Sequence, residues 1–353
     1  MVAAGVSGAV APRGEFQGQK RSREALLRLG LLAGIAGIVL VALLSLRFGS
    51  ATLTTRDVWN ALFAFDPESY DQTIVRGLRL PRTVVALAVG SALAVAGAVM
   101  QGITRNPLAD PYVLGVSNGA AAAIVTAVSL LGLTSAHEYL WFAFLGAIGA
   151  AALVFLIGSA GVAGPTPVKL ALAGVVTSAL LGAWTSALLL LDEAAFDTIR
   201  FWLAGSVVNR DMSAFGFIAP FLIGGALACV VLGHQLNALG LGDDAARALG
   251  MQTGRTRLLC TVLVVIIAGA AVAIAGPIGF VGLAVPHMVR AVVGADYRWV
   301  LPYSLVYGAI FLVGADIVGR IVARPSELGV GIVTALVGAP FLVLLARRTT
   351  TGA

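Results

Sequence analysis

The sequence predicts an all-α membrane protein, about ten transmembrane helices in a single bundle, and three observations carry that prediction. Of 353 residues, 59% are hydrophobic and only 11% charged, against roughly 25% charged in soluble domains, so water cannot solvate most of the folded surface. Uncharged runs close to the about 20 residues needed to cross a hydrocarbon core recur along the whole chain. Forty-three glycines, with abundant alanine, fall largely within such runs; small residues of this kind let helices approach closely in lipid.

The chain opens with a polar, basic stretch ending at Arg28, followed by the uncharged run 29–46. This resembles a signal peptide, but no small-x-small cleavage site follows, so a retained first span is expected. Further spans are expected at 83–102, 113–133, 139–160, 169–191, 213–233, 258–274, 278–289, 300–319 and 331–346. The run 278–289 is short and bracketed by Gly276-Pro277 and Pro286, which predicts a broken or tilted helix there. The segment between the fifth and sixth spans contains 196–204, expected as a short interfacial helix. Three regions follow: a disordered basic cytoplasmic tail at 1–25, a transmembrane domain at 26–347 and a cytoplasmic tail at 348–353. With both termini inside, 14 basic residues fall on the cytoplasmic side and 9 outside, the sense of the positive-inside rule.

Net charge is +6, yet the basic residues are scattered over loops without aromatic platforms, which argues against nucleic acid. Cys229 and Cys260 lie in apolar runs with no CxxC spacing and no neighbouring histidine, so they read as packing residues and no metal is expected. Sixteen of the 17 acidic residues fall in tails or loops, and only Asp316 lies inside a span. A secondary transporter places carboxylates or histidines within its spans to carry ions; Asp316 instead has Arg320 four residues on, the spacing of an ion pair on one helix face. The phosphate loop GxxxxGK[ST] needs a lysine, and neither Lys20 nor Lys169 has that context. No polar catalytic cluster and no selectivity filter are evident, so neither an enzyme nor a channel is expected.

Between the sixth and seventh spans, Gly242 breaks the chain, Asp243 or Asp244 can cap, Ala245 to Leu249 with Arg247 forms a short helix, and Gly250 ends it. Such a knob fits a groove on another protein. Asn106, Pro107, Asp110 and Pro111 set a rigid turn between the second and third spans, with Asp110 able to cap the next helix.

These motifs, with Leu78-Arg79-Leu80-Pro81-Arg82-Thr83, Gly115-Val116-Ser117-Asn118-Gly119, Pro286-His287-Met288-Val289-Arg290 and Ala315-Asp316-Ile317-Val318-Gly319-Arg320, occur in the order seen in FecCD-type permeases. The chain resembles that family over about residues 26 to 346, and the resemblance implies a BtuC/FecCD-like type II ABC importer permease. It implies uptake of a ferric siderophore, with haem and cobalamin as alternatives, through the bacterial inner membrane. It also implies partners: a second permease subunit, identical or paralogous, two ATPase subunits that use ATP and magnesium, and an extracytoplasmic binding protein. No cofactor is expected on this chain. By resemblance, Asp243, Asp244, Ala245, Arg247, Leu249 and Gly250 form the ATPase-coupling helix, and Arg79, Arg82 and Arg320 dock the binding protein. Thr166, Pro167 and Val168 correspond to a cytoplasmic gate, in a connection unusually rich in proline.

Overall fold

The computed structural model describes residues 13–49, 52–133, 135–160, 166–208, 210–324 and 326–350, and among them every regular element is helical. In chain order they are α1 (Arg13–Arg47), α2 (Thr55–Phe63), α3 (Tyr70–Ile74), α4 (Leu80–Thr104), α5 (Val116–Leu131), α6 (Ala136–Ser159), α7 (Pro167–Leu191) and α8 (Glu193–Leu203). They continue with α9 (Met212–Val231), α10 (Gly233–Gly240), α11 (Asp243–Ala248), α12 (Thr253–Ala275), α13 (Val281–Val293), α14 (Tyr297–Val322) and α15 (Val330–Thr350).

Among the described residues seven helical stretches are long and apolar enough to cross a membrane, and three shorter apolar helices, α5, α13 and the Val330–Pro340 part of α15, bring the number to the ten expected spans. Three of the acids that the sequence leaves between spans are caps. Asp192, Asp211 and Asp296 accept hydrogen bonds from backbone N–H groups at the starts of α8, α9 and α14, satisfying donors that have no partner within a helix. The interfacial helix expected at 196–204 is α8, which seats the buried Trp202 with its Nε1 donating to the Ala273 carbonyl at 3.0 Å.

The bundle is built around α4. In its most apolar 18-residue stretch 78% of residues lie buried, against 11% in that of α7, so α4 is the central post and α7 lies on the rim. Two glycine crossings allow this. A Cβ at Gly97 would collide with the Gly282 carbonyl of α13, and one at Gly90 with the Gly308 carbonyl of α14, so backbone meets backbone at both points. Along α7, Leu172, Val175, Val176 and Leu180 stay exposed, as expected of a surface whose solvent is lipid or another apolar subunit.

Two expectations need correction. Residues 13–25, expected as disordered, are helical, because α1 starts at Arg13; Gln17, Lys20, Arg21, Arg23 and Glu24 are straight-chain residues that favour helix. At the other end α15 runs through Thr350, into the stretch read as a cytoplasmic tail; residues 1–12 and 351–353 lie outside the described residues. The run around Pro286 is one helix of 13 residues, unbroken by the proline inside it.

Candidate functional site

The two ends of the bundle carry different chemistry. At one end α10 and α11 project between α9 and α12. Gly242, at φ +113°, caps α11 with no side-chain contribution, and Gly250, at φ +81°, closes it in the left-handed region where a Cβ is disfavoured. Within α11 only Ala246 is buried; Asp244, Ala245, Arg247, Leu249 and Gly250 are exposed, Leu249 to 69%, and Leu241 just before the helix also to 69%. Two exposed leucines on a short projecting helix make an apolar knob.

Asp243 does not cap, which corrects the expectation. Its carboxylate accepts from Arg257 Nη1 at 2.9 Å and Nη2 at 2.7 Å and pairs with Arg105 Nη2. A bidentate charged pair outcompetes a single bond to a backbone N–H. Those guanidinium hydrogen bonds, from Arg257 first and then Arg105, hold the Asp243 carboxyl below the usual carboxylate range, so it stays ionised at neutral pH. Arg105, left-handed at φ 52°, also donates from Nε to the Leu239 carbonyl at 2.9 Å. The knob is thus tied through one carboxylate to the end of α4 and the start of α12.

The turn between α4 and α5 forms as expected. Asn106 Oδ1 accepts from Leu108 N at 2.9 Å, Pro111 starts a 3-10 turn, and Asp110 Oδ1 accepts from Tyr112 N at 2.8 Å. Pro107 is exposed at its tip. Burial pushes the Asp110 carboxyl up to about 6, a feature its loop position concealed. Gly119 permits the close crossing of α5 with α6 at Gly146 and Ala150, and Asn118 sits half-buried beside it. Thr166 caps α7 by accepting from Lys169 N at 3.3 Å, Pro167 occupies the first helical turn, and Val168 is 77% exposed. The preceding Gly164-Pro165 lies outside the described residues.

At the opposite end, the three arginines expected to dock a binding protein are buried: Arg79 is 5% exposed, Arg82 7% and Arg320 1%. Asp316 accepts from Arg82 Nε and Nη2 and from Arg320 Nη2, the last at 2.7 Å. Arg82 also bonds Glu327. Arg320 donates to the Ser45 and Phe48 carbonyls and to Ser45 Oγ, and Arg79 Nη1 donates to the Leu46 and Arg47 carbonyls. The cause is the open C-terminus of α1, whose carbonyls have no partner within the helix and draw in the guanidiniums. One cluster therefore locks the ends of α1, α4 and α14 and the segment before α15. The Asp316–Arg320 pair was expected; its partners Arg82 and Glu327 were not.

Comparison with known proteins places this arrangement. The model of the FecCD transport family matches residues 37–348. The ferric enterobactin transport system permease protein FepD of Escherichia coli is 45% identical over 316 residues, which cover 89% of this chain and 94% of FepD. The probable siderophore transport system permease protein YfiZ of Bacillus subtilis is 42% identical over 304 residues, covering 86% and 91%. A solved inward-facing conformation of a metal-chelate type ABC transporter superposes with a TM-score of 0.78 at 32% identity, covering 90% of this chain and 98% of that one. The ten apolar helices, the ordered motifs and these likenesses together make the chain a member of the FecCD transport family.

Proposed function

We propose that the chain is the transmembrane permease subunit of a binding-protein-dependent ABC importer, carrying a ferric-siderophore complex across the bacterial cytoplasmic membrane. The observation that carries this reading is α11: an exposed apolar knob tied by Asp243 to the central helix and to α12. A projection so braced is suited to receive work from outside the chain, and no nucleotide cradle exists within it. The α11 end faces the cytoplasm, in keeping with the surplus of basic residues there. Each of two ATPase subunits seats one knob, and a second permease copy, identical or paralogous, completes a pathway at the interface. Thr166, Pro167 and Val168, forming the first turn of α7, gate its cytoplasmic mouth. The extracytoplasmic binding protein meets the opposite end. There Arg79, Arg82 and Arg320 outnumber Asp316 and Glu327, so the cluster biases that surface towards an acidic partner from beneath while bracing it. The siderophore cargo is carried by the likeness to FepD and YfiZ.

The test is reconstitution with ATPase and binding protein. Ferric siderophore should stimulate ATP turnover more than haem or cobalamin; stimulation by either of those alone would replace the cargo assignment. In the same system Arg247→Glu with Leu249→Asp should abolish uptake while hydrolysis and membrane insertion persist. Full uptake by that double variant would refute the docking role of α11.

A further inference from the structure

Beside the strut that Asp243 forms with Arg105 and Arg257, the ends of α4, α10, α13 and α14 line a cavity of about 510 Å³, whose polar lining is Gln101, Arg105, Asn106, His287, Arg290 and Tyr297. None of these residues other than Arg105 takes part in the coupling contacts. Gln101 is 2% exposed and oriented: its Nε2 donates to the Gly282 carbonyl at 3.1 Å. Its Oε1 is thereby turned to accept from Arg290 Nη2 at 2.6 Å. The Arg290 guanidinium is further held over the Tyr297 ring, 5.8 Å from its centre. Among the described residues Arg290 has no carboxylate within ion-pair distance. The nearby acids are engaged elsewhere, Asp243 by Arg105 and Arg257, and Asp296 by Arg298 and Asn237.

A half-buried guanidinium held in place by a neutral amide and a ring, with no carboxylate partner among the described residues, carries a charge that its surroundings do not neutralise. It faces a concavity with a second guanidinium and the Asn106 amide on the wall. This is the donor set for a phosphate group, which accepts through several oxygens at once. The cavity is much larger than one phosphate and lies at the helix ends that carry the surplus of basic residues. Basic pockets between helices on that side of a membrane take anionic lipid headgroups.

We infer that this cavity is a phosphate-binding site, with the headgroup of an anionic phospholipid as the ligand that fits its size and depth. Because the site shares Arg105 with the strut, its occupant also braces the end of α4. The inference stands on the cavity itself and holds whichever cargo the importer carries.

The experiment measures thermal unfolding of the full chain in neutral detergent against dihexanoyl phosphatidylglycerol, dihexanoyl phosphatidylcholine and inorganic phosphate. Phosphatidylglycerol is expected to raise the unfolding temperature saturably and phosphatidylcholine not at all. The rise should vanish in Arg290→Gln and persist in Arg255→Gln, which alters an exposed arginine outside the cavity. A rise with both phosphatidylglycerol and phosphate, the two competing, supports the site through its phosphate chemistry. A rise with phosphate alone supports the site and assigns it a soluble anion. No rise with either, or equal rises in wild type and Arg290→Gln, overturns it. Should Arg290→Gln fail to fold, Arg290→Lys keeps the charge and loses the fork, and binding should weaken by roughly tenfold; undiminished binding in that variant also overturns it.

Discussion

Asp316, 1% exposed, holds Arg82 and Arg320 at once, and both guanidiniums continue to other acceptors. Removing its charge leaves Arg320 with no carboxylate among its described partners and Arg82 with Glu327 alone. Asp316→Asn is therefore expected to destabilise the chain by about 3–5 kcal/mol, the range for breaking a buried pair. Thermal unfolding in detergent reads this as a lowered midpoint, and an unchanged midpoint would show that the cluster is dispensable. The sequence made only part of this legible. Arg320 stands one helical turn from Asp316, so spacing revealed that pair, whereas Arg82 lies 234 positions away and nothing local points to it. Asp243 was misread for the same reason: next to Gly242 it has the local features of a cap, but Arg105 and Arg257 reach it only once the helices have packed.

Helices were the most legible level, since each long uncharged run became one, and even the short run through Pro286 fell within its expected boundaries to a few residues. Which face each helix buries was not legible, because runs apolar on all sides carry no periodic mark. The glycines hold that information, and only the packed structure reveals it. Gly97 meets a backbone carbonyl of α13, whereas Gly182 on α7 has nothing within 4 Å of the position its Cβ would occupy. Gly97→Leu should accordingly push α4 off α13 and give an aggregated or inactive preparation. Gly182→Ala should leave both yield and uptake near wild type. Size-exclusion profiles and chelate uptake read the contrast, and equal tolerance at both sites would show that the α4–α13 crossing is looser than drawn.

For the molecule as a whole the question is where the energy enters. Among the described residues Asp110 is a carboxyl outside the arginine cluster that burial pushes up to about 6, within reach of neutrality. Its visible task is structural, capping the turn after α4. Asp110→Asn keeps an oxygen for that cap and removes the proton site, so ATP-driven uptake should be unchanged from pH 5.5 to 7.5. If the variant loses uptake or its pH profile shifts, the carboxyl carries protons and the motor is not wholly external.

The two glycine crossings have a mechanical consequence. Where Gly90 abuts Gly308 and Gly97 abuts Gly282, no side-chain layer remains between the backbones to act as a lubricant, so α4, α13 and α14 can turn only as one stiff lever. Spin labels at Leu87 on α4 and Val318 on α14 should hold a constant separation through the ATP cycle, while either label drifts relative to Leu180 on the thinly packed α7. Pulsed dipolar spectroscopy in nanodiscs measures both, and a Leu87–Val318 distance that changes with nucleotide would mean that the lever bends.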